Sequence, residues 1–476
     1  MNINKSNYQE LTQTTVLPDT PSLQQQYLEK LITRHNQRTK TSKQIAQTYR
    51  PVLSDNKSLV DFNFLLKEMF YPIVAKRSLG SKIWDVDGNE YIDVSMGFGV
   101  NLFGHNPPFI KQALVEQLEK GIQIGLQSEF VGEVAELICE LTKMERVAFS
   151  NTGTEAVMTA IRLARTATGR NKIAMFSGSY HGHFDGTLAK GQAGENLNSM
   201  PMAPGVPPNF VADVLVLDYG NPQSLEAIAS HKNELAAVLV EPVQTRKIEL
   251  QPKAFLQQLR QLTKELKIAL IFDEMVSGFR IHPGGAQAWF DIEADIATYG
   301  KIVGGGMPIG IIAGKAIYMD RIDGGIWNYE DSSSPQVKKT FFAGTFCKHP
   351  LAIAAARAVL KHLKTEGATL QEQLNQRTSQ FVKTLNAYFQ KEELPIQMVH
   401  FGSLFGSASS DNSASLEDSP SVGGLDLLYY HLLDRGIILR GDGGFLSTAH
   451  TEADIDYMIW AVKDSIEELR EGGFLA

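Results

Sequence analysis

The stretch ATYGKIVGGGMPIG, residues 297–310, places one lysine, Lys301, shortly before a run of three glycines. The neighbours of this lysine are small or apolar, and consecutive glycines let the backbone approach a bulky group closely. A lysine in a tight, partly dry environment loses part of its preference for the charged form. Its pKa can then fall to about 7–8, where the free amine is a nucleophile and a base. The stretch predicts a lysine that forms an imine with a carbonyl; an ordinary loop lysine is the alternative.

A buried strand that ends in a carboxylate precedes this stretch. Residues 268–272, IALIF, form a short apolar run, and Asp273 follows it directly. A carboxylate at the end of a buried strand is costly unless a cationic group pairs with it. Pyridoxal phosphate supplies such a group, because an aspartate that keeps its ring nitrogen protonated makes the ring an electron sink. Lys301 and Asp273 thus share one chemical purpose, the first as the imine-forming lysine and the second as the partner of the ring nitrogen.

The motifs around these two residues resemble those of the class III pyridoxal-phosphate aminotransferases. The matching segments are residues 272–274 (FDE), 278–280 (GFR), 300–301 (GK) and 304–310 (GGGMPIG). The resemblance is strongest to glutamate-1-semialdehyde aminomutases and to aminotransferase domains of hybrid polyketide–peptide synthetases. It implies an α/β fold of fold type I, with a mostly parallel sheet in a large domain and a small α+β domain built from both chain ends.

The composition is that of a folded globular protein with more than one domain. The chain has 476 residues, of which 43% are hydrophobic and 21% charged. Its net charge of −8 gives no basic excess that would indicate a nucleic acid or an anionic membrane as partner. The two cysteines lack metal-ligand spacing, and no apolar run approaches a membrane span. We expect a cytoplasmic protein without a metal site.

The chain divides into four expected segments. Residues 1–50 are polar, although Leu23–His35 fits an amphipathic helix. In the synthetase-embedded relatives such a segment joins the aminotransferase to its neighbours, and an ordinary N-terminal extension is the alternative. Ser407–Val422, rich in Ser, Asp and Gly, is predicted to be a surface loop. The segments are an N-terminal arm or linker (1–50), the N-terminal part of the small domain (51–110), the large cofactor-binding domain (111–345) and the C-terminal small domain (346–476).

An anion site is predicted where a strand passes through a glycine turn into a helix. The strand is RVAFS, residues 146–150, and the turn that follows contains Thr152, Gly153 and Thr154. Backbone N–H groups and the helix dipole both favour an anion at such a turn. We assign the cofactor phosphate to these three residues. The alternative is a helix N-cap, with the Thr154 side chain satisfying the end of the helix.

Two further strand ends carry candidate cofactor residues. Tyr180 follows the strand KIAMF, residues 172–176, and an aromatic ring at that position can lie against a pyridine ring. Glu241 follows the strand AAVLV, residues 236–240. The resemblance implies that Tyr180 stacks on the cofactor and that Glu241 lies near its ring. Strands and helices alternate through this region, which is typical of a parallel sheet with its binding edge at the strand ends.

Gly344 and Thr345 precede a helical run and are the last predicted cofactor residues. The resemblance implies that they reach the phosphate bound in the neighbouring subunit, and hence that the protein is a homodimer with composite sites. The alternative for Thr345 is a simple turn before the helix.

The candidate substrate residues depart from the usual pattern of the family. Arg77 lines up with an arginine that binds the substrate carboxylate in the aminomutases; a surface arginine on a strand is the alternative. Residues 443–447, GGFLS, lack the arginine that many members use for the α-carboxylate, and Arg440 lies close but displaced. Residues 245–247, TRK, replace the glycine and asparagine of many relatives. We interpret these departures as favouring an acceptor that is bound as a thioester to an acyl carrier protein.

The expected reaction moves an amino group from an amino acid, with glutamate as the expected donor, to the β-keto carbon of a carrier-bound acyl chain. Lys301 would hold the cofactor and then move the proton between donor and cofactor. One alternative is glutamate-1-semialdehyde aminomutase, which needs no separate donor. The other is a non-catalytic docking module of a synthetase that has kept the fold. The intact Lys301, Asp273 and Tyr180 argue against this last alternative.

Overall fold

The computed structural model of the chain describes residues 22–55, 62–191, 199–408, 424–441 and 443–475. Residues 1–21 of the predicted arm, and residues 409–422 of the predicted surface loop, lie outside these ranges. Within them, no helix combines the length and the apolar character that a crossing of a lipid bilayer requires.

The strands and helices alternate along the chain. The strands are β1 (Ala75–Leu79), β2 (Lys82–Asp85), β3 (Glu90–Asp93), β4 (Arg146–Ser150), β5 (Lys172–Phe176), β6 (Ala189–Gly191), β7 (Ser199–Pro201), β8 (Val214–Leu217), β9 (Leu235–Val240), β10 (Ala269–Asp273), β11 (Ile296–Tyr299), β12 (Gly310–Gly314), β13 (Met398–Phe401), β14 (Leu404–Ser407), β15 (Ile437–Ile438) and β16 (Gly444–Phe445). The helices are α1 (Leu23–Arg38), α2 (Lys40–Tyr49), α3 (Met96–Gly99, a single turn), α4 (Pro108–Lys120), α5 (Val131–Thr142), α6 (Gly153–Thr168), α7 (Pro208–Val211), α8 (Pro222–Ser230), α9 (Lys253–Leu266), α10 (Gly285–Phe290), α11 (Ala316–Asp323), α12 (Pro350–Glu366), α13 (Thr369–Lys391), α14 (Gly424–Asp434) and α15 (Glu452–Glu471).

A seven-stranded sheet lies at the centre of the chain, in the order β4-β12-β11-β10-β9-β5-β8. Strand β9 pairs in parallel with β10 and β5, β10 with β11, and β5 with β8. Strand β12 runs antiparallel to both of its neighbours, β11 and β4. The predicted mostly parallel sheet of a fold type I enzyme is therefore confirmed.

Both faces of this sheet are buried, which explains the continuous apolar runs in its strands. In β10, Leu270 and Phe272 belong to the core on one face, whereas Ala269 and Ile271 belong to the core on the other. Helices α5, α9 and α12 contribute to the first core, and α6 contributes to the second. All five residues of β10, including its terminal Asp273, are buried.

A second group of sheets joins the two ends of the chain. Strand β15 pairs in parallel with β3, with Ile437 opposite Ile92, in a sheet of order β1-β2-β3-β15. Strands β13, β14 and β16 form a separate antiparallel sheet. The predicted α+β part built from both chain ends is confirmed, while the domain boundaries at 50, 110 and 345 remain predictions.

The described residues of the predicted N-terminal arm form two helices. Helix α1 packs onto the C-terminal part of the chain, whereas α2 contacts Glu68 and Asp87. Helix α1 begins with a capping box in which Ser22 and Gln25 satisfy each other's backbone N–H groups. Leu31 packs in a small core with C-terminal residues, including Leu427. The Arg34 Nε atom lies 2.9 Å from a carboxylate oxygen of Asp434. Helix α1 is thus held by contacts with residues about 400 positions further along the sequence.

We predict that Thr451→Ala lowers the free energy of unfolding by about 1 kcal/mol. The Thr451 hydroxyl accepts a hydrogen bond from the Asp454 N–H group, and the Asp454 carboxylate accepts one from the Thr451 N–H group. The matched control is Thr384→Ala within α13, where alanine has the higher helix propensity and we expect no loss. Denaturant unfolding of both variants tests the prediction; equal losses in the two would contradict it.

Candidate active site

Lys301 lies where the chain leaves β11 and enters a short 3-10 turn, Lys301–Gly304. Its backbone φ of +46° is in the left-handed region, which is unfavourable for a residue with a side chain. Burial lowers the pKa of the Lys301 amine, and the positive charges of Arg440 and Arg280 lower it further, against the opposing effect of Asp273 and Glu241. The uncharged form of the amine is therefore easier to reach here than in an exposed lysine.

Asp273 ends β10 and is held by three groups. Its Oδ2 atom lies 2.8 Å from His181 Nδ1, and its Oδ1 atom accepts hydrogen bonds from the Thr298 hydroxyl and the Met275 N–H group, each at 3.2 Å. The side chains of Asp273 and His181 are 3% and 0% exposed. The carboxylate is thus buried and oriented by groups from β11, from the segment after β5 and from the segment that follows β10 itself.

His181 is a site residue for which the sequence pattern indicates no functional role. Its Nε2 atom is buried and has no hydrogen-bond partner in the described part of the chain, while Nδ1 contacts Asp273. The feature of the sequence that could have indicated a role for His181 is its position directly after Tyr180, in the segment that follows β5.

Glu241 fixes the ends of two strands against each other. Its Oε2 atom accepts a hydrogen bond from the Tyr180 N–H group at 3.2 Å, and Oε1 accepts one from the Thr245 N–H group at 3.0 Å. Burial raises the pKa of the Glu241 carboxyl, with the nearby Asp273 acting in the same direction. Because the Tyr180 backbone is held in this way, its ring stays half exposed, at 53%, beside the buried carboxylates.

The predicted anion site is a tight turn at the start of α6. The Thr152 hydroxyl caps the helix by accepting a hydrogen bond from the Glu155 N–H group at 3.2 Å. The alternative in which Thr154 caps the helix is wrong, since its hydroxyl accepts from the His183 N–H group at 3.3 Å. A Cβ atom on Gly153 would lie 2.8 Å from the Met275 sulfur. The turn therefore requires a glycine and packs directly against the strand end that bears Asp273.

Gly344 lies beside this turn in the same chain. A Cβ atom on Gly344 would be 3.4 Å from the Asn151 amide nitrogen and would overlap the Cys347 sulfur. Thr345 is exposed. The predicted role of Gly344 and Thr345 in the neighbouring subunit remains a prediction.

Arg77 is an exposed residue on β1, and its guanidinium stacks on Trp84, 3.6 Å from the ring centroid. This is the environment of a surface arginine on a strand, which is the alternative named from the sequence. Its assignment to the substrate remains a prediction.

Arg440 is the arginine whose charge reaches Lys301 from the solvent side. It is exposed, and its guanidinium carbon lies 5.3 Å from the centroid of the Phe98 ring. Phe98 belongs to α3, in which Met96, Gly97, Phe98 and Gly99 all have positive φ angles. The sequence predicts only that Arg440 lies close to the expected position of the carboxylate-binding arginine. Its contact with Phe98 depends on this left-handed turn, which the local sequence pattern does not reveal.

The buried Arg280 holds that turn in place. It donates hydrogen bonds to the Gly99 carbonyl and to the Ser403 hydroxyl, and its guanidinium carbon lies 4.7 Å from the Phe445 ring centroid. Burial lowers the pKa of Arg280 to about 9. A Cβ atom on Gly99 would lie 2.8 Å from the Phe445 ring. Arg280 therefore supports the backbone that presents Phe98 to Arg440.

We predict that Arg440→Gln raises the pKa of Lys301, because it removes a positive charge that disfavours the ammonium form. The pH at which the amine becomes reactive should move upward. The measurement is the rate of reductive methylation of Lys301 in the cofactor-free protein as a function of pH, followed by mass spectrometry. Arg77→Gln is the matched control and should leave the midpoint in place. An unchanged midpoint in Arg440→Gln would show that Arg440 exerts no field at Lys301.

Comparison with known proteins agrees with this geometry. The protein-family profile described as "Aminotransferase class-III" matches residues 66–449. A glutamate-1-semialdehyde 2,1-aminomutase of Chloroflexus aggregans is 34% identical over 411 residues, 84% of this chain and 91% of the relative.

Two solved structures share the fold and 29% sequence identity with this chain. An ω-transaminase from Sphaerobacter thermophilus has a TM-score of 0.80, covering 90% of this chain and 98% of its own. A β-phenylalanine aminotransferase from Variovorax paradoxus has a TM-score of 0.76, covering 93% and 97%. This chain belongs to the class-III aminotransferase family of pyridoxal-phosphate-dependent enzymes.

Proposed function

We propose that this enzyme moves an amino group onto and off carbonyl carbons of a substrate that carries a carboxylate. The observation that carries the proposal is the position of Arg440, an exposed guanidinium whose charge acts on the Lys301 amine. A guanidinium is well suited to a carboxylate, because its planar donors match the two oxygens. A carboxylate bound there would lie within electrostatic reach of the reactive amine.

The residues around Lys301 fit pyridoxal phosphate. Two buried carboxylates, Asp273 and Glu241, lie near one lysine of lowered pKa, so a cationic ring nitrogen would compensate their charge. The ring itself would lie against the half-exposed Tyr180. The turn at Thr152–Thr154 would hold the phosphate through N–H groups of the first turn of α6. When bound, the cofactor supplies an aldehyde that takes up the amino group and a ring that accepts electrons.

Lys301 performs the proton transfer in this proposal. Burial lowers the pKa of its amine, so the unprotonated Nζ atom forms more readily than in an exposed lysine. In that form it can accept a proton from the substrate carbon that bears the nitrogen and return it later. Asp273 contributes a fixed negative charge, since its oxygens are oriented by His181, Thr298 and the Met275 N–H group. The two residues come from neighbouring strand ends of one rigid sheet, which sets their separation.

The first candidate reaction is the glutamate-1-semialdehyde aminomutase reaction, in which the amino group moves between two carbons of one substrate. It is supported by the aminomutase relative, which matches this chain over 84% of its length. It needs one carboxylate anchor, and Arg440 supplies a guanidinium for that purpose.

The second candidate is transfer from glutamate to a β-keto acyl thioester on a carrier protein. Two observations favour it. The structurally similar Variovorax enzyme is named for a β-amino acid, which carries its amino group on the carbon that this reaction would aminate. In addition, Arg246 places a second guanidinium beside Tyr180. The non-catalytic docking alternative is not retained, because the chain belongs to a family of enzymes.

Two incubations separate the candidates. With glutamate-1-semialdehyde and no added donor, the aminomutase proposal predicts formation of the isomer with its amino group on the terminal carbon. With glutamate and a β-keto acyl carrier protein, the second candidate predicts an acyl chain that has exchanged oxygen for an amino group, detected by mass. Lys301→Ala should abolish either conversion. Failure of both in the wild-type holoenzyme would overturn the proposed function.

We further propose a homodimer whose second copy covers the exposed apolar side chains between residues 326 and 346. Ile326, Tyr329 and Phe341 are 78%, 83% and 78% exposed in the single chain. Exposed apolar residues clustered in one segment favour an interface. Thr345 lies in the same segment, which supports a phosphate contact made by the partner copy.

Mixed dimers test the shared site. We expect that a mixture of Lys301→Ala and Thr345→Ala proteins, unfolded together and refolded, regains activity, because one site in each mixed dimer combines an intact Lys301 with an intact Thr345 of the other copy. Each variant refolded alone is the control. No gain on mixing would show that Thr345 serves its own chain.

A further inference from the structure

Hydrogen bonds hold the segment after β9 against the segment after β5. The Glu241 carboxylate accepts hydrogen bonds from the Tyr180 and Thr245 N–H groups. The Gln244 amide nitrogen donates to the Ser177 carbonyl and to the Ser179 hydroxyl, both at 2.8 Å. Glu241 and Gln244 are both buried, at 6% and 0% exposure. The backbone that leads into residue 246 is therefore fixed relative to Tyr180.

Arg246 follows these hydrogen-bonded residues directly and is exposed. Its guanidinium carbon lies 5.9 Å from the centroid of the Tyr180 ring, which is itself half exposed. The guanidinium of an arginine that lies over an aromatic face can donate hydrogen bonds from its edge to an anion. The hydrogen bonds of this segment thus position the Arg246 guanidinium beside the Tyr180 ring, which is expected to contact the cofactor.

Arg246 and Arg440 reach the site from different elements in a similar way. Arg440 follows β15 and lies over Phe98, whereas Arg246 follows β9 and lies over Tyr180. Both rings are about half exposed, at 47% for Phe98 and 53% for Tyr180. A substrate with one carboxylate needs one such group. Two guanidiniums that follow different strands match a substrate with two separated anionic groups.

We propose that Arg246 is a specificity-determining residue that binds a second anionic group of the substrate at the edge of the Tyr180 ring. The chemistry that it recognises is an oxyanion with paired oxygens. Such a group has two sources in amino-transfer chemistry. One is the distal carboxylate of a dicarboxylic amino acid such as glutamate, and the other is the phosphate of a phosphopantetheine thioester. The inference rests on the second candidate reaction, transfer from glutamate to a carrier-bound acyl chain, because the aminomutase reaction needs only one carboxylate anchor.

The first test compares amino donors in the holoenzyme. The change in cofactor absorbance is followed in single turnovers with glutamate and with 2-aminopentanoate, which has the same chain length without the distal carboxylate. For a distal-carboxylate contact we expect Arg246→Gln to raise the half-saturating glutamate concentration about tenfold while leaving the maximal rate and the values for 2-aminopentanoate nearly unchanged. Arg246→Lys should recover part of the loss.

The matched control is Lys247→Gln, which removes the neighbouring exposed cation. It should leave both donors unaffected. The cofactor absorbance before substrate addition and the melting temperature of each variant show whether the fold and the loaded site are intact.

The second test distinguishes the phosphate source. A β-keto acyl thioester of phosphopantetheine is compared with the same acyl thioester of pantetheine, with enzyme first converted to its amino form by any accepted donor. If Arg246 binds the phosphate, Arg246→Gln removes the preference of the wild-type enzyme for the phosphorylated acceptor. The proposal is overturned if Arg246→Gln behaves as wild type in both comparisons, including the case in which the wild-type enzyme prefers neither glutamate nor the phosphorylated acceptor.

Discussion

The structure depends on the burial of one carboxylate, that of Asp273, at the end of a central strand. A charge in that position is costly unless cationic or donor groups surround it. The chain meets this requirement with the imidazole of His181, the hydroxyl of Thr298 and the N–H group of Met275. Thr298 lies on β11, the strand beside β10, whereas His181 follows β5, which is separated from β10 by β9. The need to stabilise Asp273 therefore brings strand ends together, and Lys301 is carried to the same edge by β11.

Much of this arrangement could be predicted because it follows from local patterns and from sheet geometry. The bounds of β4 and β5 are those read from the apolar runs, and the carboxyl ends of parallel strands must meet at one edge. Lys301, Asp273, Glu241 and Tyr180 are each defined by their place after a strand. No knowledge of long-range packing is needed to find them.

The remainder depends on contacts that no local pattern records. His181 pairs with a residue 92 positions away, and His35 in α1 contacts Asp434 across 399 positions. Such pairs become visible only when the chain has folded. The amphipathic pattern of Leu23–His35 predicts α1, which spans Leu23–Arg38, but it does not predict which part of the chain α1 packs against. The cap of α6 also depends on such a contact: Thr152 caps the helix in place of the expected Thr154, whose hydroxyl accepts a hydrogen bond from the His183 N–H group.

The left-handed turn α3 has a consequence for how the substrate range of such an enzyme can diverge. Met96 and Phe98 adopt positive φ angles that cost a non-glycine residue about 1–2 kcal/mol each. The hydrogen bond from the buried Arg280 guanidinium to the Gly99 carbonyl offsets part of this backbone cost. The Phe98 side chain is about half exposed, so its size and polarity can vary between descendants of this chain with less effect on the core than a change at a buried residue. Single substitutions at Phe98 can then change substrate preference, while Lys301 and Asp273 remain unchanged.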